Sequence, residues 1–66
     1  MNIDIGSKIK TLRLSKSMTQ EQLAKALHVS AQAVSKWENG KSYPDIHSLL
    51  LLSALFDVSL DQLIKG

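Results

Sequence analysis

Two helix-start signals stand close together in the stretch TQEQLAKALHVSAQAVSKWENG, residues 19–40. Thr19 followed by Gln22 has the pattern of a capping box, and Ser30 is a second hydroxyl residue of the kind that caps a helix. Between these signals there is room for one helix, at about residues 20–27, and then only two connecting residues. Because so short a connection cannot reverse the chain into an antiparallel hairpin, we expect the two helices to cross at roughly 90–120°.

The same kinds of signal divide the rest of the chain into helices. Asp45 and Ser59 are caps for two later helices, and Gly40 is a natural stop for the third. Either Asp4 or Ser7 is a suitable cap for the first. The predicted helices cover about residues 5–16, 20–27, 31–39, 46–56 and 60–65. With almost no strand-like alternation, the chain is predicted to be all-α, a bundle of five short helices.

Size and composition exclude several classes of protein. A chain of 66 residues is expected to form one domain, residues 1–66, with a stability of only a few kcal/mol. It has no cysteine, and His28 and His47 have no third ligand pattern nearby, so we expect no metal site. No nucleophile–base pair or phosphate-binding glycine loop is present, so we expect neither an enzyme nor a cofactor or small-molecule site.

No segment of the sequence is suited to a membrane. The most apolar stretch, LLLLSALF at residues 49–56, is far shorter than the roughly 20 residues that span a bilayer. The first residues, MNIDIGSKIK, lack an apolar run of signal-peptide length. We therefore expect a cytoplasmic protein with no membrane partner.

Charge is unevenly distributed along the chain. Residues 1–41 contain seven basic and three acidic side chains, a net of +4, whereas residues 42–66 contain one basic and three acidic, a net of −2. A basic half is typical of a protein with a polyanionic partner, although uneven charge also serves solubility alone.

The third helix has a polar face suited to nucleic-acid bases. Val34 and Trp37 point together, so Trp37 is interpreted as a core residue rather than a stacking platform for bases. The opposite arc, roughly 100° wide, holds Gln32, Ser35, Lys36 and Asn39. Gln pairs with adenine, Lys donates to guanine, Ser contacts either, and Ala31 in the first turn is able to touch a thymine methyl. The alternative is an ordinary solvated helix face.

At this point the residues resemble a known family. The motif TQEQLAKALHVSAQAVSKWENGKSYPD, followed by a helix and DVSLDQL, is similar to the Cro and phage-repressor helix-turn-helix family, also called Xre-like. The resemblance extends from about Ile5 to Ile64. It implies a lambda-repressor-like bundle with its helix-turn-helix unit at about residues 19–39. It also implies a bacterial or phage transcriptional regulator, expected to repress, that binds a palindromic operator in double-stranded DNA as a homodimer and is associated with the nucleoid.

The resemblance also implies roles for individual residues. The residues expected to face bases in the major groove are Ala31, Gln32, Ser35 and Lys36. Gln20, at the start of its helix, is expected to meet the DNA backbone, and Asn39 and Lys41 are expected to meet phosphates. Arg13 of the first helix is expected to pair with Glu38, which lies in the last turn of its helix, where the dipole disfavours an anion. An exposed, unpaired Glu38 is the alternative.

Two positions depart from the family pattern. His28 stands where the turn of the family often has glycine, at a position that favours a positive φ, and Ser17 stands where a glycine often ends the first helix. These departures bear on local stability rather than on the fold.

The fourth helix is apolar on more than one side. Its predicted core face consists of Leu49, Leu52, Ser53 and Phe56, and Leu50, Leu51 and Leu55 lie off that face. Either the last helix covers them, or they belong to a dimer interface. The resemblance favours a homodimer through Leu51, Leu55, Leu60 and Ile64, with the two reading helices about 34 Å apart, one turn of DNA.

A protein-interaction module, such as an antitoxin or anti-regulator, is the alternative function on the same scaffold. An acidic or apolar outward face on the third helix would favour it, and the sequence predicts neither.

Overall fold

The computed structural model describes residues 4–65, and within that range it contains helices and no strand. The helices are α1 Ile5–Ser15, α2 Gln20–Leu27, α3 Ala31–Glu38, α4 Ile46–Phe56 and α5 Leu60–Lys65. The predicted all-α bundle of five short helices is confirmed, and α2, α4 and α5 have the predicted bounds. The predictions for α1 and α3 are each one residue too long, because Lys16 and Asn39 are C-caps with backbone angles outside the helical range.

Reciprocal hydrogen bonds start two of the helices. The Thr19 hydroxyl accepts from the N–H of Gln22 at 3.0 Å, and the Gln22 side chain accepts from the N–H of Thr19 at 2.9 Å. Ser59 and Gln62 form the same pair at the start of α5, with both distances 3.0 Å. Each box satisfies N–H groups that a helix start would otherwise leave unpaired.

Single caps start the other three helices. The Ser30 hydroxyl accepts a backbone hydrogen bond from the first turn of α3. The Asp4 carboxylate accepts from the N–H of Ser7 at 3.2 Å, so Asp4 rather than Ser7 caps α1. Asp45 caps α4, and hydrogen bonds from the Ser48 hydroxyl and N–H hold the pKa of Asp45 below its ordinary value.

A single cluster of buried apolar side chains takes members from every helix. They are Ile5, Ile9, Leu23, Ala24, Leu27, Val34, Trp37, Leu52, Phe56 and Leu63. Trp37 lies in this cluster, so its interpretation as a core residue is correct and its ring is not available to stack on bases. Burial of these side chains supplies the main stabilisation of so small a domain.

The buried face of α4 differs from the predicted one. Leu52 and Phe56 are buried as expected, but Leu49 and Ser53 are only half-buried. Ser48 is buried in their place. The buried residues follow the row of positions four apart along a helix, which turns the face slightly from the one that hydrophobicity alone indicates.

A buried ion pair joins α1 to the end of α3. Nε of Arg13 donates to Oε2 of Glu38 at 2.7 Å, and Nη2 donates to Oε1 at 3.1 Å. The third donor, Nη1, reaches the carbonyl of Met18 at 2.7 Å. Only 9% of the Arg13 side chain and 3% of the Glu38 side chain are exposed. The family resemblance predicted this pair, but the contact with Met18 was not predicted.

The pair offsets two unfavourable terms. Glu38 is the last residue of α3, where the helix dipole disfavours a negative charge, and its burial removes water from the carboxylate. The two hydrogen bonds from the guanidinium replace those lost to water, and its positive charge offsets the unfavourable interaction of the carboxylate with the helix dipole. The hydrogen bond to Glu38 in turn raises the pKa of Arg13 above its ordinary value.

Within residues 4–65, three non-glycine residues adopt left-handed backbone conformations. They are Ser17, His28 and Asp57, with φ values of 54°, 60° and 54°. The conformation that the sequence led us to expect at His28 is therefore present, and Ser17 and Asp57, the C-cap of α4, adopt it as well.

We expect His28→Gly to stabilise the domain by about 0.5–1 kcal/mol, because glycine removes the steric cost of the left-handed conformation. Part of this gain is cancelled, because glycine also increases the conformational entropy of the unfolded chain. In a domain of this size the melting temperature should rise by several degrees. Ala26→Gly, at an exposed position inside α2, is the control and should lower it. Thermal denaturation followed by circular dichroism measures both; a drop for His28→Gly would contradict the argument.

We expect Arg13→Met to lower the free energy of unfolding by about 3 kcal/mol or to unfold the domain, because it leaves a buried carboxylate without its cation. The double variant Arg13→Met/Glu38→Leu should recover much of the loss. Asp61→Asn breaks the exposed pair with Lys65 and should cost less than about 1 kcal/mol. Urea denaturation compares the three, and equal losses for Arg13→Met and Asp61→Asn would refute a buried pair of this importance.

Candidate nucleic-acid interface

The outer face of α3 is free for contact with a ligand. The helix is anchored by Val34 and Trp37, which are buried, while Gln32 and Lys36 on the other side are exposed. Neither exposed side chain forms a hydrogen bond or ion pair among the described residues. The face is polar and has no negative charge, because the one acid of the helix, Glu38, is turned inward to Arg13.

The two other residues expected to read bases are less accessible. Ala31 is half-buried and packs against the core cluster. Ser35 is also half-buried, and its hydroxyl accepts a hydrogen bond from Nδ2 of Asn39 at 3.3 Å. Of the four residues expected to read bases, Gln32 and Lys36 are therefore the more exposed, and Ala31 and Ser35 are the less exposed.

The connection between α2 and α3 is held rigidly. His28 takes the left-handed conformation, and its N–H donates to the carbonyl of Lys25 at 3.3 Å. The N–H of Val29 then reaches the carbonyl of Ala24 at 3.0 Å, and its side chain packs against the core. These bonds are typical of a helix C-terminus closed by a left-handed residue, and the next residue, Ser30, is already the N-cap of α3.

Gln20 has a role that the sequence did not reveal. It is the first residue of α2, is half-buried, and donates from Nε2 to Oε1 of Glu38 at 3.1 Å. The Glu38 carboxylate therefore binds Arg13 of α1 and Gln20 of α2 at once. This network joins the start of α2, expected at the DNA backbone, to the end of α3.

The turn after α3 presents the two remaining phosphate candidates. Asn39 is the exposed C-cap, and Gly40 follows with a φ of 73°. The N–H of Lys41 then donates to the carbonyl of Lys36 at 2.9 Å, which fixes the backbone at the exposed Lys41. Asn39 and Lys41 are thus close to the end of α3, on backbone held by hydrogen bonds to that helix.

The residues expected at a dimer interface are only partly accessible. Leu51, Leu55 and Leu60 are half-buried and pack against the core, and Ile64 is 37% exposed. The last helix does pack on α4, as the first of the two explanations for the apolar fourth helix requires, and the dimer interface stays a prediction. Among the described residues, four other large apolar side chains are more exposed, and only the last of these was placed from the sequence, off the core face of α4: Leu14, Tyr43, Ile46 and Leu50.

Other kinds of site find no support in residues 4–65. No group of three or more potential ligands is arranged to hold a metal ion there, and both histidines are exposed. Over the same residues, no helix has the length and apolar character required to cross a membrane.

Comparison with known proteins identifies the family. Residues 9–63 match the helix-turn-helix family. The transcriptional activator BcrR of Enterococcus faecalis is 47% identical over 97% of this chain and 31% of its own length. The transcriptional regulator DicA of Escherichia coli is 38% identical over 98% of this chain and 48% of its own length. The chain therefore spans roughly a third to a half of these two relatives.

A solved structure supports the same family. The P22 c2 repressor in complex with a synthetic operator superposes with a TM-score of 0.90 at 33% identity, covering 100% of this chain and 98% of that one. These relatives are transcriptional regulators, so the expectation that the domain is not an enzyme is confirmed. The chain belongs to the helix-turn-helix family, of the Cro and phage-repressor (Xre-like) type that its sequence resembles.

Proposed function

We propose that this chain is a sequence-specific DNA-binding domain of a transcriptional regulator, with α3 as its reading helix. The observation that carries the proposal is the exposed pair Gln32 and Lys36, on a helix whose other face is buried and whose only acid is neutralised. Helices of this family read base edges in the major groove, and Gln and Lys have suitable donors for adenine and guanine. The P22 c2 repressor, similar over the whole chain, is bound to an operator in its structure.

Affinity should come mainly from phosphate contacts. We assign these to Asn39 and Lys41 after α3 and to Gln20 at the start of α2. Since one Gln20 N–H is already given to Glu38, the phosphate would be met by the remaining side-chain N–H and by free backbone N–H groups of the first turn. Ala31 and Ser35 have secondary places in base reading, consistent with their half-burial.

The regulator is further proposed to act as a homodimer on a palindromic operator and to repress, in the cytoplasm at the nucleoid. One helix-turn-helix reads few base pairs, and a two-fold dimer doubles the site with half-sites about one DNA turn apart. The interface is assigned to Leu51, Leu55, Leu60 and Ile64. The alternative, a protein-interaction module, is not favoured, because an acidic or apolar outer face on α3 would be needed and neither is present.

Substitutions in the reading helix and in the turn should have different effects. Gln32→Ala and Lys36→Ala should change the preferred sequence and cost about 1–3 kcal/mol at the altered base pairs. Lys41→Ala should weaken binding to all sequences alike and make the salt dependence shallower by about one unit of slope. Selection from random duplex DNA at fixed salt, followed by titration at several salt concentrations, measures both effects. If Gln32→Ala and Lys36→Ala keep the wild-type preference, α3 is not the reading helix.

The dimer is tested in solution. Analytical ultracentrifugation should detect a dimer at high micromolar concentration, and Ile64→Lys should shift the protein to monomer by placing charge in an apolar contact. Leu14→Lys is the control, since Leu14 is an exposed leucine outside the proposed interface. A wild-type monomer at that concentration, or an equal effect of both variants, would reject the assigned interface.

A further inference from the structure

Gly6 of α1 lies where no side chain has room. A Cβ atom built there would be 2.3 Å from the carbonyl oxygen of Trp37 and 3.0 Å from that of Glu38. Both are backbone atoms of α3 and cannot rotate away. Glycine inside a helix costs about 1 kcal/mol relative to alanine, and its φ here is ordinary, so the benefit lies in the close approach of two helices.

The carbonyl that Gly6 touches belongs to the turn that ends the reading helix. The Trp37 oxygen accepts the N–H of Gly40 at 3.2 Å. One residue later, the N–H of Lys41 is bonded to the carbonyl of Lys36. A displacement of the Trp37 carbonyl would therefore move the backbone that carries both lysines.

α1 holds the end of α3 at two separate points. Gly6 sets the distance between the backbones, and Arg13, two helical turns further along α1, holds the Glu38 carboxylate with two hydrogen bonds. These contacts, together with the Gln20 bond from α2, fix the position of the end of α3, while Val34 and Trp37 anchor the helix in the core.

We infer that Gly6 is a positioning residue for sequence recognition: it sets how far the end of α3 stands from the body of the domain. The inference rests on the proposed function. A methyl group at position 6 would require the Trp37 oxygen to withdraw by about 1.1 Å to reach ordinary contact at 3.4 Å. Hydrogen bonds to bases tolerate only a few tenths of an ångström, whereas flexible lysines still reach phosphates after such a shift.

The test compares Gly6→Ala with the wild type on two duplexes of 20 or so base pairs, a length near two helical turns. One duplex carries the sequence that the wild type selects from random DNA, and the other a scrambled sequence of equal composition. Gly6→Ala should lower the ratio of the two affinities about tenfold, the worth of a lost base contact, and leave binding to the scrambled duplex nearly unchanged. Ser7→Ala, next to it on the exposed side of α1, should leave the ratio unchanged.

Fluorescence separates positioning from simple loss of stability. Trp37 is the only tryptophan of the chain, and its own carbonyl is the group displaced. The emission of folded Gly6→Ala should differ from that of the wild type at a temperature well below both melting transitions. An unchanged affinity ratio overturns the inference, whether or not the emission changes.

The outcomes distinguish the inference from the function beneath it. If the wild type itself shows no sequence preference, the proposed function fails. If Gly6→Ala does not fold, the comparison is made in the His28→Gly background. If that also fails to fold, Arg13→Lys decides, since it keeps the charge but loses the two-pronged contact. A wild-type affinity ratio in Arg13→Lys would overturn the positioning by α1.

Discussion

The contact between the Arg13 guanidinium and the Glu38 carboxylate determines how the rest of the molecule is arranged. It binds α1 to α3, and through the same carboxylate it binds Gln20 at the start of α2. Three helices thus meet at one buried charge, which is stable only because every oxygen of the carboxylate has a donor. In a domain with so small a core, this network adds directional contacts that join three helices at one point.

The same network explains how a non-acidic reading face is obtained. Glu38 is the one acid of α3, and if it were exposed it would repel the phosphates that the proposed function requires. Turning it inward leaves Gln32 and Lys36 on the outer face without a neighbouring negative charge on that helix. Stability and the proposed function therefore both require an inward-facing side chain at Glu38. The close approach at Gly6 fixes the position of the backbone at the same end of α3.

Most of the fold follows from local signals in the sequence. The caps at Thr19, Ser30, Asp45 and Ser59 placed the helix starts correctly, because capping hydrogen bonds involve residues only two or three apart. The core position of Trp37 followed from helical periodicity. The rotation of α4 was less well predicted: Ser48 is buried and Leu49 only half-buried, because the choice among several apolar rows depends on which neighbouring helix is present. The ordering of Gln32 and Lys36 ahead of Ala31 and Ser35 depends on tertiary packing in the same way.

The sequence by itself determined the number of helices, the starts of the last four, the left-handed residue His28 between α2 and α3 and the polar face of α3, because each is set by contacts within one or two helical turns. Tertiary structure alone decided the Gln20–Glu38 bond, the Arg13–Met18 contact and the fit of Gly6 against the end of α3. These interactions join different helices, or reach across the end of one, and no local pattern encodes the distance between helices. The close approach at Gly6 was not predicted from the sequence, and only the packed structure identifies the backbone it meets as the last turn of α3.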